Sequence, residues 1–194
     1  MEPTPHLDAS TVRALLNELA DKLEAQGETG ELFIVGGAAM ALAYDQARTT
    51  IDVDGLFRPT APMRTMVAEI AERHNLAADW LNDGAKGFLP GPDPRPIPVL
   101  ERENLRVFVA SPEYLLAMKL HSGRGGRDLE DAAILTRKLN LRTPRQLLGL
   151  LEQHYPAERL QPRHQYLIHD VLGRAFPSSS SDHHRSGHNP GPSL

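Results

Sequence analysis

The chain has no cysteine among its 194 residues. That excludes disulfide staples and thiolate metal sites, and it fits a reducing compartment. Aromatic residues make up only 5%, so the core has to be built mainly from Leu, Ala, Val and Ile. No apolar run approaches the roughly 18 residues of a membrane span. The opening MEPTPHLD has no basic-then-apolar signal pattern, so the expectation is a cytoplasmic protein with no membrane partner. An excess of positive charge is missing too. The 21 Lys and Arg against 25 Asp and Glu leave a net charge of -4. This argues against a protein that coats nucleic acid, and it leaves room for a local basic patch.

What is present is concentrated between Glu31 and Phe57, ELFIVGGAAMALAYDQARTTIDVDGLF. Leu32 to Val35 reads as a short strand. Gly36-Gly37 follows at its end, where a backbone without Cβ atoms can approach a phosphate. Ala38 to Tyr44 reads as a short helix and Ile51 to Phe57 as a second strand. Residues two apart on a strand face the same side, so Asp52 and Asp54 stand as paired carboxylates. Adjacent like charges repel, and Ile51, Val53 and Leu56 point to a partly buried strand around them. Divalent metal binding accounts for such a pair, which makes Asp52 and Asp54 the candidate ligands of Mg²⁺ or Mn²⁺. Arg48 either reaches a nucleotide or pairs with Asp45. Alone, a Gly-Gly is usually a turn and an Asp-x-Asp is often a solvated strand end. Together they point to nucleotide chemistry.

The pattern Val35-Gly36-Gly37, fourteen residues, then Asp52-Val53-Asp54 resembles the nucleotidyltransferase superfamily with the DNA polymerase beta fold. The Arg48-Thr49-Thr50-Ile51-Asp52 lead-in resembles one branch, the minimal nucleotidyltransferase toxins related to the type IV abortive-infection toxin and the MenT toxins. Gly55 departs from the family's apolar strand, and a bend just past the acids is expected there. A second run, Leu116 to Asp131, resembles the C-terminal motif of the same branch: a Lys on one helix, then Arg-Asp-x-x-Asp opening the next. Lys119 shares a helix stripe with Leu115 and Leu116, so it either snorkels to water or meets an anion. Asp128 and Asp131 sit where acids favour a helix start in any case. The resemblance assigns Lys119 and Arg127 (or Arg124) to the triphosphate, and Asp128 or Asp131 to the essential late acid. Glu101, on a later strand, is the other candidate for a third carboxylate.

In chain order, Asp8 to Gln26 reads as an amphipathic helix with Val12, Leu15, Leu16, Leu19 and Leu23 on one stripe. Pro62 opens a helix through about Arg73. Trp80-Leu81-Asn82-Asp83, another run similar to the toxin branch, leads into Gly84 to Pro98. That stretch is too long for an ordinary connection, and its Phe88 and Leu89 favour a loop packed near the site. Ile97 to Leu100 and Leu105 to Val109 read as a hairpin. Ser111-Pro112-Glu113 is a helix start, and Asp128 begins the next helix. Thr143-Pro144-Arg145-Gln146 is a capping box, and a last helix spans Pro162 to Arg174. The fold class is α/β (α+β), a small mixed sheet flanked by helices with a C-terminal helical portion. Residues 1–110 form the nucleotidyltransferase core, 111–176 the helical portion completing the site, and 177–194 a disordered tail. His183, His184 and His188 fall in that tail. His121 borders the Gly/Arg turn, either as a structural histidine or as part of the site.

The expected activity is metal-dependent transfer of an NMP from an NTP to a hydroxyl. The resemblance implies an RNA acceptor, the 3′ end of tRNA, and a toxin neutralised by a cognate antitoxin protein. A basic surface at Arg124, Arg127, Arg137, Lys138, Arg142 and Arg145 is expected for such an acceptor. The competing readings are a non-catalytic nucleotide- or partner-binding module on the same fold, transfer to a protein or antibiotic acceptor, and a glycosyltransferase using Asp-x-Asp. The last leaves Gly36-Gly37 and Lys119 unexplained.

Overall fold

The computed structural model describes residues 6–123 and 125–177. Arg124 lies outside the described residues, and so, from residue 178 on, do the three tail histidines and the segment expected to be disordered.

The first helix, α1 (Ala9–Ala25), buries Val12, Leu15, Leu16, Leu19, Ala20 and Leu23. Its N-cap is Asp8, whose carboxylate accepts from the Thr11 N–H at 2.8 Å. Strand β1 (Gly30–Ile34) runs directly into α2 (Gly36–Ala43). Strand β2 is Val53–Arg58 and α3 is Thr60–His74. Strand β3 is the two-residue Leu81–Asn82, β4 is Ile97–Glu101 and β5 is Leu105–Val109. The helical portion follows: α4 (Pro112–Ser122), α5 (Arg127–Lys138), α6 (Pro144–His154) and α7 (Arg163–Ala175).

The five strands form one mixed sheet in the order β3-β2-β1-β5-β4. The central strand β1 pairs antiparallel with β2 (Ile34 opposite Gly55) and parallel with β5 (Ile34 opposite Val109). Leu32, Ile34, Val107 and Val109 are fully buried in its core. The expected mixed sheet flanked by helices is therefore what the chain forms.

Four local expectations change. Gly36 and Gly37 are the first turn of α2 rather than a loop before it. Strand β2 starts at Val53, so Asp52 sits one residue before it, and Ile51 is 53% exposed instead of partly buried. Gly55 does not bend β2. It stays in register with β1, where an added Cβ would lie 2.8 Å from the Phe33 carbonyl oxygen and 2.9 Å from a Leu32 methyl. A close approach of two backbones explains this glycine. Strand β3, not expected as a strand, pairs parallel with β2 and sets Asn82 beside Asp54.

Candidate active site

Three segments converge on one cleft of about 170 Å³. The β1–α2 junction contributes Val35 and Gly36, and β2 contributes Asp54. From the helical portion come Lys119 and Ser122 on α4 and Asp128 on α5. Leu115, Met118, His121 and Tyr155 complete that side. The third segment is a 3₁₀ turn, Gly84–Phe88, inside the long Gly/Pro stretch, with Ala85 and Phe88 lining the cleft. The stretch expected to pack near the site does so.

The glycine pair is explained first by packing inside the chain. Gly36 has a left-handed φ of +67°, and an added Cβ would come within 3.1 Å of the Asp54 carboxylate. At Gly37 the same atom would meet the Thr50 hydroxyl at 2.8 Å. The absent Cβ atoms make room for Asp54 and Thr50. The case for an anion here rests on the helix start itself. The N-cap residue Val35 has no capping side chain, so the first N–H groups of α2, beside the cleft, are offered with the positive end of the helix dipole.

The expected strand pairing of Asp52 with Asp54 changes: Asp52 precedes β2, so strand alternation does not fix its side, and it is not among the cleft-lining residues. Asp54 lines the cleft. Asp52 is half-buried, and its carboxyl is pushed above the usual range by burial and then by the charge of Asp79; the Thr50 hydroxyl partly offsets this. A raised pKa means that ionised Asp52 is disfavoured by its surroundings, which is the condition that a bound cation relieves. Among the described residues no cluster of three or more His, Cys, Asp or Glu has metal-binding geometry. Two carboxylates with substrate phosphates are nonetheless a donor set that Mg²⁺ takes, so these residues fit the ion.

Lys119 meets its anions. Its Nζ donates to Asp128 Oδ1 at 2.5 Å and to Asp131 Oδ2 at 2.8 Å. Asp131 is 1% exposed. Its Oδ2 also accepts from Arg48 Nη2 at 3.0 Å. Arg48 thus pairs neither with Asp45 nor along the cleft wall: it ties the α2–β2 connection to α5. Of the two late acids, Asp128 reaches the cleft and Asp131 lies behind Lys119. Arg127 is exposed on the first turn of α5, outside the cleft lining. Glu101, at the end of β4, is opposite Arg106 of β5. That is three strands from β2, or roughly 14 Å at about 4.8 Å per strand, so Glu101 is not brought to the acids.

Tyr155, just past α6, is a cleft residue that the sequence reading missed. Its ring stacks on His121 at 3.9 Å and 7°, and its hydroxyl donates to the Phe88 carbonyl at 2.9 Å. Burial pushes its pKa up, so the phenol keeps the proton it donates. Burial, with His164 and two arginines nearby, lowers the pKa of His121. The scarcity of aromatics was the one available signal, since each of four tyrosines has to be placed. Asn82 and Asp83, unexplained by sequence, act locally. Asn82 Oδ1 caps the Gly84 N–H at 2.8 Å, and Asp83 pairs with Arg64 at 3.1 Å.

No curated protein and no solved structure matches the chain. Among the described residues no helix is long and apolar enough to cross a membrane. Residues 11–154 match the family described as nucleotidyltransferase of unknown function (DUF6036). The span runs from α1 to the end of α6 and holds every cleft residue but Tyr155. The chain therefore belongs to this family of nucleotidyltransferases.

Proposed function

We propose that the cleft transfers an NMP from an NTP to an acceptor hydroxyl on RNA, the 3′ end of tRNA, and that the protein acts as a toxin held in check by a cognate antitoxin. The observation that carries the reading is the meeting of Gly36, Asp54, Lys119 and Asp128 in one cleft. They come from four elements, α2, β2, α4 and α5, and from positions up to 92 residues apart in the sequence. Asp52 and Asp54 would hold Mg²⁺ or Mn²⁺, which when bound neutralises charge on the triphosphate and on the departing pyrophosphate. The N–H groups at the start of α2 hold phosphate oxygens. Lys119 places a cation where negative charge builds up on the leaving group.

In the reaction the acceptor oxygen attacks the α-phosphorus. The new O–P bond forms as the bond to the β-phosphate breaks, and pyrophosphate leaves with the electron pair. Asp128, the late acid at the cleft, is placed to take the hydroxyl proton. Arg127, Arg137, Lys138, Arg142 and Arg145 are all exposed along α5 and the start of α6, which supports an anionic acceptor. The toxin role rests on the sequence resemblance of the Arg48–Asp54 and Lys119–Asp131 segments.

The test is incubation of the protein with each α-³²P-labelled NTP, Mg²⁺ and total RNA, beside Asp52→Ala/Asp54→Ala. Label is expected in RNA with the wild type alone. Label in neither RNA, protein nor small molecules would overturn the transferase reading. Charge reversal along α5 and α6 that left RNA labelling intact would overturn the RNA acceptor. Growth arrest on expression of the wild type, absent with the double variant, tests the toxin role.

A further inference from the structure

Over the sheet and the helices that flank it, Lys22, Arg64, Arg73, Arg102 and Arg106 each pair with an acid. Beside the cleft the pattern differs. Arg159 ends a 3₁₀ turn, Ala157–Arg159, and Arg163 opens α7. Both are exposed, and neither makes an ion pair among the described residues; the ion pair on α7 is Arg174 with Asp170, at the far end of the helix. Their place is fixed from inside. Tyr155 and His121 line the cleft and stack on each other at 3.9 Å. The turn follows two residues past Tyr155, closed by the Arg159 N–H on the Pro156 carbonyl at 2.9 Å. His164, next to Arg163 and 2% exposed, sets its ring 5.5 Å from that of His121. Leu167 then packs at Gly123, where an added Cβ would lie 3.7 Å from its methyl group. The start of α7 therefore stands against the end of α4 that brings Lys119, His121 and Ser122 to the cleft. Lys86, a third exposed cation with no ion pair among the described residues, is on the 3₁₀ turn Gly84–Phe88, which the Tyr155 hydroxyl holds by the Phe88 carbonyl. The closeness shows at His121. After burial and His164, the charges of Arg163 and Arg159 lower its pKa, and a hydrogen bond to the Arg159 backbone opposes them. Cations are favourable at the end of a helix, but the last turn of α4 already holds Lys119 and His121. Capping α4 does not account for two more.

Resting on the transfer reading above, we propose that Arg159, Arg163 and Lys86 form a lip that takes the backbone phosphates of the acceptor RNA strand and leads its terminal hydroxyl into the cleft. Asp54, the start of α2 and Lys119 serve the triphosphate from within. The acceptor has to reach the α-phosphorus from outside, past the rim. A small neutral acceptor or a protein hydroxyl brings no charge to such a rim. An RNA strand brings one phosphate per nucleotide, and the planar fork of an arginine matches a phosphate. Phosphate contacts set the position of a strand without reading its bases, so the lip fixes where the strand ends and not which sequence it carries. Both arginines lie past residue 154, where the family match stops, so this part of the lip is outside the span that the family describes.

The experiment uses the full chain and a short single-stranded RNA with a free 3′ hydroxyl. It measures RNA binding over a salt series, NTP binding with Mg²⁺, and RNA labelling from α-³²P-labelled NTP. The variants are Arg159→Gln/Arg163→Gln, Arg159→Lys/Arg163→Lys, Lys86→Gln and, as a control, Arg58→Gln, an exposed cation at the far end of β2 from Asp54. Losing charge-assisted contacts of this kind weakens binding about 10- to 100-fold. The double Gln variant is expected to show that loss for RNA with NTP affinity kept. Its slope of log K against log salt should shrink by about 1.4, at about 0.7 per phosphate on a single strand. The double Lys variant recovers most of the slope, Lys86→Gln gives a smaller loss in the same direction, and Arg58→Gln gives none. In turnover the double Gln variant raises KM for RNA with kcat nearly kept. Unchanged RNA affinity and salt slope in that variant overturn the proposal. An equal loss in Arg58→Gln also overturns it, because overall charge would then be the cause. So does a parallel loss of NTP affinity, which would put the arginines on the nucleotide. RNA binding that the double Gln variant weakens, in a wild type that transfers label to nothing, supports the lip and removes the transfer reading. Wild type that binds no RNA overturns the lip; polyglutamate binding lost in the double Gln variant would then assign it to an acidic protein.

Discussion

Asp131 and Asp52 are both acids drawn back from water, and the chain treats them in opposite ways. Asp131 is 1% exposed, with one oxygen shared between Lys119 at 2.8 Å and Arg48 at 3.0 Å. Its charge is matched within the chain, by a residue from the sheet half and one from the helical half. Asp52 has no ion pair among the described residues, and the neighbouring charge that adds to the effect of burial is another acid, Asp79. Both acids come from motifs that the sequence flags equally. The difference is one of surroundings: the charge of Asp131 is matched inside the chain, and that of Asp52 is disfavoured by burial and by Asp79. Asp131 reads as a joint between the two halves. Asp52, with Asp54 two residues on, belongs to the pair for which a bound cation is proposed.

The largest effects should separate the two acids cleanly. Asp131→Ala leaves buried cations with one partner removed, a change that typically costs about 3–5 kcal/mol. The urea midpoint should fall steeply, and activity should fall with the folded fraction. Asp54→Asn keeps the shape that packs against Gly36, so its midpoint should stay within about 1 kcal/mol of the wild type. Its transfer rate should drop by about 10³, as several kcal/mol of charge stabilisation are lost. A stable Asp131→Ala, or an active Asp54→Asn, would erase the distinction.

A middle-sized effect sharpens the same contrast within β2. Gly55→Ala drives a methyl group towards the Phe33 carbonyl, which belongs to the central strand and cannot step aside. Overpacking of this kind costs about 1–3 kcal/mol. The expected outcome is a lower melting temperature with catalytic constants preserved at a temperature where the variant is folded. A selective loss of kcat would mean that Gly55 serves the acids beside it rather than the sheet.

The legible parts of the fold were those with local signals. The stripe Val12 to Leu23, the cap at Ser111 and the capping box at Thr143 each state their role within a few residues, and each forms as read. Strand β3 was not legible, because two residues carry no periodicity and only pairing with β2 makes them a strand. In the site, the types and spacing of Asp52, Asp54, Lys119 and Asp128 showed what could meet. They could not show that Arg48 turns to an acid 83 residues away, or that Tyr155 reaches the turn at Phe88. Nor could they show that Thr50 fills the space beside Gly37. Those are properties of the packed halves, and no window of sequence contains both partners.

The smallest expected effect tests the electrostatic half of the contrast directly. Burial and Asp79 raise the Asp52 carboxyl in the folded chain, so between the ordinary Asp value near 3.9 and the raised value the native state binds more protons than the unfolded one. Stability then falls as pH rises through that window, because ∂ΔG/∂pH follows the protons bound by the unfolded state minus those bound by the native. Asp52→Asn carries no such proton. Its urea midpoint relative to the wild type should therefore rise as pH climbs from about 4 through the window and level off above it. Asp79→Asn should lower the Asp52 pKa and shrink the rise. Mg²⁺ with nucleotide should shrink it in the wild type by favouring the ionised carboxylate. A pH-independent difference between wild type and Asp52→Asn would show that Asp52 is held as comfortably as Asp131, and the case for a cation at β2 would then rest on Asp54 alone.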